Sequence, residues 1–295
     1  MKKRWHILGA GAIGNLWACH LTSAGFPVTL ILRSQDKLNS FSDQHGIKLK
    51  EELYLADAEL ADSPYPIEQL LITTKSTDTK TAFNSIRTRI SSHARVIVLQ
   101  NGMGTQQWVR EQLPSAEVVW ASTTDGAWLK QPFDLVHAGQ GYTRMGIPDQ
   151  ECYWLEELGN GFLKIELDDD IAKTLWRKLA INCAINPLSA HFQCKNGELI
   201  NNPNYLVEMA AICREVEAVT SAAGIKLFDG PLIEHACQVA ELTAENYSSM
   251  MQDVKHGRST EISSITGYLC KLAEQHNISI PVNQKYLKKI QELQT

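Results

Sequence analysis

The segment Gly9-Ala10-Gly11-Ala12-Ile13-Gly14 constrains this chain more than any other. Trp5-His6-Ile7-Leu8 ahead of it reads as a short apolar strand, and Asn15 to Leu21 behind it reads as a helix. Gly25 suits the position just past that helix, and Pro27 to Leu32 reads as a second strand. Strand, tight turn, helix and strand within ~30 residues make a βαβ unit. In such a unit the first glycine makes the turn, the second lets backbone approach a pyrophosphate, and the third lets helix pack on strand. The helix start adds free N–H groups and the positive end of its dipole. Gly9, Gly11, Ala12, Ile13 and Gly14 are therefore candidate dinucleotide contacts. A structural turn in a parallel sheet is the bland reading of the same residues.

The tip of the second strand bears on which dinucleotide. A site selective for NAD places Asp or Glu there to accept from the ribose 2′-OH. This chain has Leu32-Arg33-Ser34, and the nearest carboxylate is Asp36. The forked cation of Arg33 matches a 2′-phosphate, with Ser34 able to add a hydroxyl. The sequence thus predicts NADP (as NADPH) over NAD, against the alternative of a solvated surface arginine.

Lys2-Lys3-Arg4 before an apolar run has the outline of a secretory signal, but three glycines and Asn15 interrupt the run and His20 follows it. We read no signal there. A net charge of −5 argues against nucleic-acid or anionic-membrane partners. No apolar run approaches the ~20 residues of a membrane span. Seven cysteines without a C-x-x-C pair suit a reducing compartment, and the nine histidines show no metal-ligand spacing. The expectation is a cytoplasmic, metal-free protein, monomeric or homodimeric.

The first half alternates strands and helices. Leu70 to Thr74, Arg95 to Leu99 and Glu117 to Ala121 read as strands, with Thr77 to Ile90 and Thr105 to Leu113 as helical connectors. This implies a Rossmann-type, doubly wound parallel sheet of α/β class. Phe133 to His137 and Tyr142 to Gly146, joined through Gly139 and Gly141, read as a closing hairpin. From Asp168-Asp169-Asp170 onward the pattern is helical, over 171–186, 205–223, 231–245 and 261–276. The predicted domains are 1–168, binding nucleotide, and an all-helical 169–295, binding substrate. A cleft between them would let an acceptor meet the nicotinamide.

Ligands of such sheets sit beyond the C-terminal strand ends, where Thr74-Lys75-Ser76 and Gln100-Asn101-Gly102-Met103-Gly104 lie. Either loop could equally be a plain turn. In the helical half, Lys178, Asn182 and Asn186 recur every four residues and share one helix face. Asparagine is a poor helix former, so two of them in an apolar helix call for a reason such as a polar stripe lining a site. Pro187 should end or kink that helix. A lysine so placed can protonate a carbonyl oxygen as hydride reaches its carbon. The alternative is a solvated lysine beside mutually bonded amides. Glu261 follows Thr260, a candidate N-cap, and could pair with the lysine or accept from a substrate hydroxyl. Ser248 and Ser249 offer hydroxyls to a carboxylate.

These segments, in this order, resemble the ketopantoate reductase family. The resemblance runs through Gly9 to Gly14, Asn101 to Gly104, Leu175-Trp176-Arg177-Lys178-Leu179, Asn182, Asn186-Pro187-Leu188, Asn196-Gly197-Glu198-Leu199, Ser248-Ser249-Met250 and Thr260-Glu261-Ile262. It implies NADPH-dependent reduction of 2-dehydropantoate (ketopantoate) to pantoate on the coenzyme A route. It further implies Lys178 as general acid and Glu261 at the substrate hydroxyl near that lysine. Asn182, Asn186 and Ser249 would hold the substrate, with Asn246 a weaker candidate. Asn101 would lie near nicotinamide and substrate, Lys75 near the cofactor, and Arg33 at the 2′-phosphate. Residues 36 to 66 and the tail after Pro281 carry no matching motif. The rivals are a related reductase of another 2-keto or 3-hydroxy acid, and a non-catalytic NADPH sensor.

Overall fold

The computed structural model describes residues 2–148 and 150–294. Two compact units divide the chain. One takes it up to Gln100 and again from Thr105 to Ala172; the other takes Asn101–Gly104 and everything from Lys173 onward.

In the first unit the strands are β1 (Trp5–Leu8), β2 (Val28–Leu32), β3 (Ile47–Leu49), β4 (Glu52–Tyr54), β5 (Asp57–Leu60), β6 (Ile67–Ile72), β7 (Ile90–Leu99), β8 (Glu117–Thr123), β9 (Gly126–Gln131), β10 (Asp134–Gly139), β11 (Thr143–Gly146) and β12 (Ile165–Leu167). Its helices are α1 (Ala12–Ser23), α2 (Gln35–Gln44), α3 (Ser76–Ile86) and α4 (Thr105–Gln112). Eight strands form the main sheet in the order β12-β11-β8-β7-β6-β1-β2-β5. From β8 to β5 all pairs are parallel, with Ile7 opposite both Leu30 and Leu71. The central segments, β1, β2, Leu70–Ile72 of β6 and Val96–Leu99 of β7, are buried on both faces, as a sheet covered on both sides requires. Leu71 joins the core beneath Trp5, Leu16 and Trp17, whereas Leu70 and Ile72 join Phe83 and Val109 on the opposite face.

The expected closing hairpin does not form. β11 pairs antiparallel with β8 in the main sheet, and β10 pairs with β9 and β3 in a second sheet, ordered β4-β3-β10-β9. The true hairpin is β9–β10, where Gly126 faces Gly139. Asp125 fixes the crossing between sheets by accepting from the Gly141 amide at 3.0 Å and bonding His137 Nε2 at 2.9 Å.

The second unit holds α5 (Ile171–Phe192), whose first residues belong to the first unit, then α6 (Glu198–Asn201), α7 (Pro203–Ala222), α8 (Leu232–Leu242), α9 (Ser249–Lys255), α10 (Thr266–Gln275) and α11 (Pro281–Glu292). α5 does not end at Pro187 but continues through it to Phe192. Every residue from Cys183 to Ala190 is buried, and that packing outweighs the amide proton the proline lacks. The first turn of α11 has no side-chain cap of its own. Glu215 of α7 supplies one, accepting from the amides of Val282 (2.9 Å) and Asn283 (2.8 Å). A carboxylate at that helix end is worth ~1 kcal/mol.

Candidate functional site

Within the first unit, the glycine segment forms the turn between β1 and α1. Gly9 has φ +116°, and a Cβ there would lie 2.5 Å from the Thr74 nitrogen. A Cβ on Gly14 would collide with the Gly9 carbonyl oxygen. Gly11 differs, because nothing lies within 4 Å of where its Cβ would be. The three glycines therefore divide as the motif demands: two permit close internal packing and one leaves an open approach. Gly11 is also the N-cap of α1, and no side chain caps that first turn. Asn15, fully buried, ties back the turn by donating to the carbonyls of Ala10 (3.0 Å) and Gly11 (2.8 Å). That bracing role had no signature in the sequence beyond a polar residue in an apolar helix. The segment fits a pyrophosphate, with Ala12 and Ile13 opening the helix beneath it.

Arg33 is exposed directly after β2. Ser34 is the N-cap of α2 and accepts from the Lys37 amide at 3.4 Å, a bond that leaves the hydroxyl proton to donate elsewhere. Lys75 is the N-cap residue of α3, partly buried. The residues before it interlock with the glycine turn, since the Thr73 hydroxyl donates to the Gly9 carbonyl at 2.7 Å. Thr73 was not singled out by sequence.

Within the second unit, Asn101–Gly104 packs with residues 261–268. Asn101 Nδ2 donates to Glu261 Oε2 at 3.0 Å, and the Met103 amide donates to the Ser264 carbonyl at 3.0 Å. Gly102 (φ +81°) has no room for a Cβ, which would stand 2.5 Å from the Ser264 oxygen. Glu261 is not in the first turn of a long helix, as Thr260-Glu261 suggested. Residues 261–265 make a separate turn closed on the Glu261 carbonyl by the amides of Ser264 and Ile265, and α10 begins at Thr266. Thr260 caps this turn rather than α10, its hydroxyl oxygen accepting from the Ile262 amide at 3.4 Å and from Gln294 Nε2 at 2.9 Å. The turn frees the Glu261 side chain to meet Asn101.

Lys178 lies on α5, partly buried. Burial lowers its pKa to about 8, and the nearby Glu261 carboxylate opposes the shift. Asn101, Lys178 and Glu261 thus form one interacting group. Asn182 is partly buried and Asn186 is 7% exposed, one and two turns along α5. Among the described residues the two amides do not bond each other. Ser248 caps α9 by accepting from the Met251 amide and accepts the Ser189 hydroxyl at 2.6 Å, while Ser249 beside it is exposed. Asn246 is exposed, and its carbonyl accepts from the Asn196 amide at 3.0 Å. Gly197 donates to Ala244 alongside, which explains the Asn196-Gly197 pair. Among the described residues no cluster could hold a metal ion, and no helix is long and apolar enough to cross a membrane.

Two family models match the chain. Residues 5–150 match ketopantoate reductase PanE/ApbA, and residues 170–294 match the ketopantoate reductase PanE/ApbA C-terminal model. A 2-dehydropantoate 2-reductase from Vibrio cholerae is 36% identical, covering 98% of this chain and 97% of that protein. A PanE/ApbA family ketopantoate reductase from Ralstonia eutropha superposes with a TM-score of 0.90 at 26% identity, covering 99% and 98%. D-mandelate dehydrogenase, solved with NADH and anilino(oxo)acetate, shares the fold with a TM-score of 0.90 at 22% identity, over 99% and 98%.

Proposed function

The chain belongs to the ketopantoate reductase family, and on that premise we propose that it reduces 2-dehydropantoate to pantoate with NADPH. The observation that carries this reading is the Lys178–Glu261–Asn101 group, a lysine poised to give up a proton beside a carboxylate anchored by an amide. When bound, the dinucleotide supplies the reducing equivalent. Lys178 holds the proton and delivers it to the ketone oxygen as negative charge develops there, a contribution of ~10²–10⁴ in rate for general acids. Glu261 accepts from a substrate hydroxyl and, as an anion near Lys178, helps keep the lysine charged. Asn101 holds that carboxylate in place, and in this reading it is the residue that faces nicotinamide and substrate. Asn182, Asn186 and Ser249, with Asn246 more peripheral, orient the carboxylate and hydroxyls of the acceptor.

Residues 1–168 act as the NADP-binding domain and 169–295 as the substrate domain. Gly9, Gly11, Ala12, Ile13 and Gly14 take the pyrophosphate, Arg33 the 2′-phosphate, and Lys75 a further part of the cofactor. Seven unpaired thiols suit the cytoplasm. The test is loss of NADPH absorbance with ketopantoate, run beside NADH and beside pyruvate and 2-ketoisovalerate. Selective turnover of ketopantoate with NADPH, abolished in Lys178→Ala while NADPH still binds, is expected. Turnover of another keto acid in preference, or a fully active Lys178→Ala, would overturn the assignment.

A further inference from the structure

We infer that Gln100 is a positioning residue for the loop Thr74-Lys75-Ser76, and through it for the dinucleotide; this rests on the NADPH-dependent reading above. Gln100 follows β7 directly, and β7 lies beside β6 with Val98 opposite Ile72. Its side chain is 7% exposed and reaches across the strand ends. Nε2 donates to the Thr74 carbonyl at 2.6 Å, contacts the Thr74 hydroxyl at 3.1 Å, and donates to the Thr79 hydroxyl. Thr79, fully buried on α3, passes the chain of bonds on by donating to the Lys75 carbonyl at 3.0 Å. One amide thus grips both residues that lead into α3.

Two further observations say why a glutamine is needed. Lys75 is the N-cap residue of α3, and its carbonyl accepts from the Asp78 amide at 2.9 Å as well as from the Thr79 hydroxyl that Gln100 engages, so the Gln100 bond bears on the backbone from which its side chain departs. And Gln100 Oε1 is buried without a partner. An orphaned buried acceptor is costly, so the position is kept for its donors. The gripped segment also shapes the glycine turn, because the Thr74 nitrogen is the atom that a Cβ on Gly9 would strike, and the Thr73 amide donates to the Leu8 carbonyl at 2.9 Å. Releasing Thr74 would loosen Lys75 and the backbone beneath the pyrophosphate together.

The experiment compares NADPH dissociation constants and steady-state kinetics for the wild type, Gln100→Met, Lys75→Ala and the double variant, with Gln100→Glu as a second probe. Methionine keeps the length, removes the donors and removes the orphaned acceptor, so the fold is not burdened by an unpaired amide. Expected is NADPH binding weakened about tenfold, the cost of one charge-free hydrogen-bond clasp, with the KM for ketopantoate changed less than about twofold. Lys75→Ala should cost less in the Gln100→Met background than alone, because both act through one loop. In Gln100→Glu, NADPH binding should recover as falling pH returns a proton, and hence a donor, to the side chain. Unchanged NADPH affinity in Gln100→Met, or a cost that simply multiplies with that of Lys75→Ala, would overturn the inference. A wild type that fails to bind NADPH overturns instead the reading beneath it, and the inference falls with it.

Discussion

Lys178 sets the chemistry at the scale of a single residue. An ordinary lysine holds its proton too firmly to surrender it readily near neutrality, and one pushed far down would carry none. Burial brings this one to about 8, where it is still charged at pH 7 yet a stronger acid than free lysine. The sign of the pH dependence follows. The protonated form is the active one, so kcat/KM should fall as pH rises through about 8. Glu261 pulls that value upward, so Glu261→Gln should move the alkaline limb to lower pH. Rate profiles of both proteins across neutral and alkaline pH check this, and a limb that stays in place in Glu261→Gln would separate the two side chains.

At the scale of elements, α1 is pinned by one imidazole. His20, fully buried, places Nε2 2.8 Å from the Leu158 carbonyl and receives the Leu163 amide on Nδ1 at 3.0 Å. The ring therefore carries its proton on Nε2 and is neutral. Burial pushes its pKa from 6.5 to about 4. Because the folded value is depressed, the unfolded chain binds the extra proton first. Stability is fully present above about 6.5 and declines as pH falls toward about 4, by at most ~3 kcal/mol. Urea midpoints between those limits should fall, and His20→Gln should flatten the slope; an equal slope in both would assign the loss elsewhere. None of this was legible in the sequence, where His20 is one histidine among nine. The inner strands were legible because a sheet covered on both faces demands short apolar runs, as in Leu30-Ile31-Leu32 of β2 and Leu70-Leu71-Ile72 of β6. The second sheet was not, because β3 and β4 are three residues long and β4 is largely exposed. The pairing of β10 and β11 is decided by partners distant in sequence, which local turn signals cannot report. Pro187 misled for a related reason: propensity describes an isolated helix, and α5 is held by its surroundings. On the site, the spacing of Lys178, Asn182 and Asn186 placed them along one helix. The meeting of Asn101 with Glu261, 160 positions apart, needed the fold.

For the molecule as a whole, the division of the chain matters more than the size of its parts. The path leaves the nucleotide unit after Gln100, returns at Thr105, and leaves for good after Ala172. Four residues thus belong to the helical unit although their neighbours on either side do not. Gly102 is what lets them fit, since its positive φ and its contact with the Ser264 carbonyl exclude any larger residue. Gly102→Ala should displace Asn101 from Glu261 at a cost of ~1–3 kcal/mol, lowering turnover while NADPH affinity stays within a few-fold. Titration of NADPH beside the steady-state assay tests this, and equal losses in both would show that the glycine serves the nucleotide unit instead.

The same interleaving bears on inheritance. A crossover between two relatives at residue 172, the evident seam, would bring Asn101 from one ancestor and Glu261 from the other. Recombinants would have to reconcile two independently drifted halves of one hydrogen bond. A nucleotide domain borrowed from elsewhere would therefore have to bring, in its loop after β7, an amide able to meet Glu261.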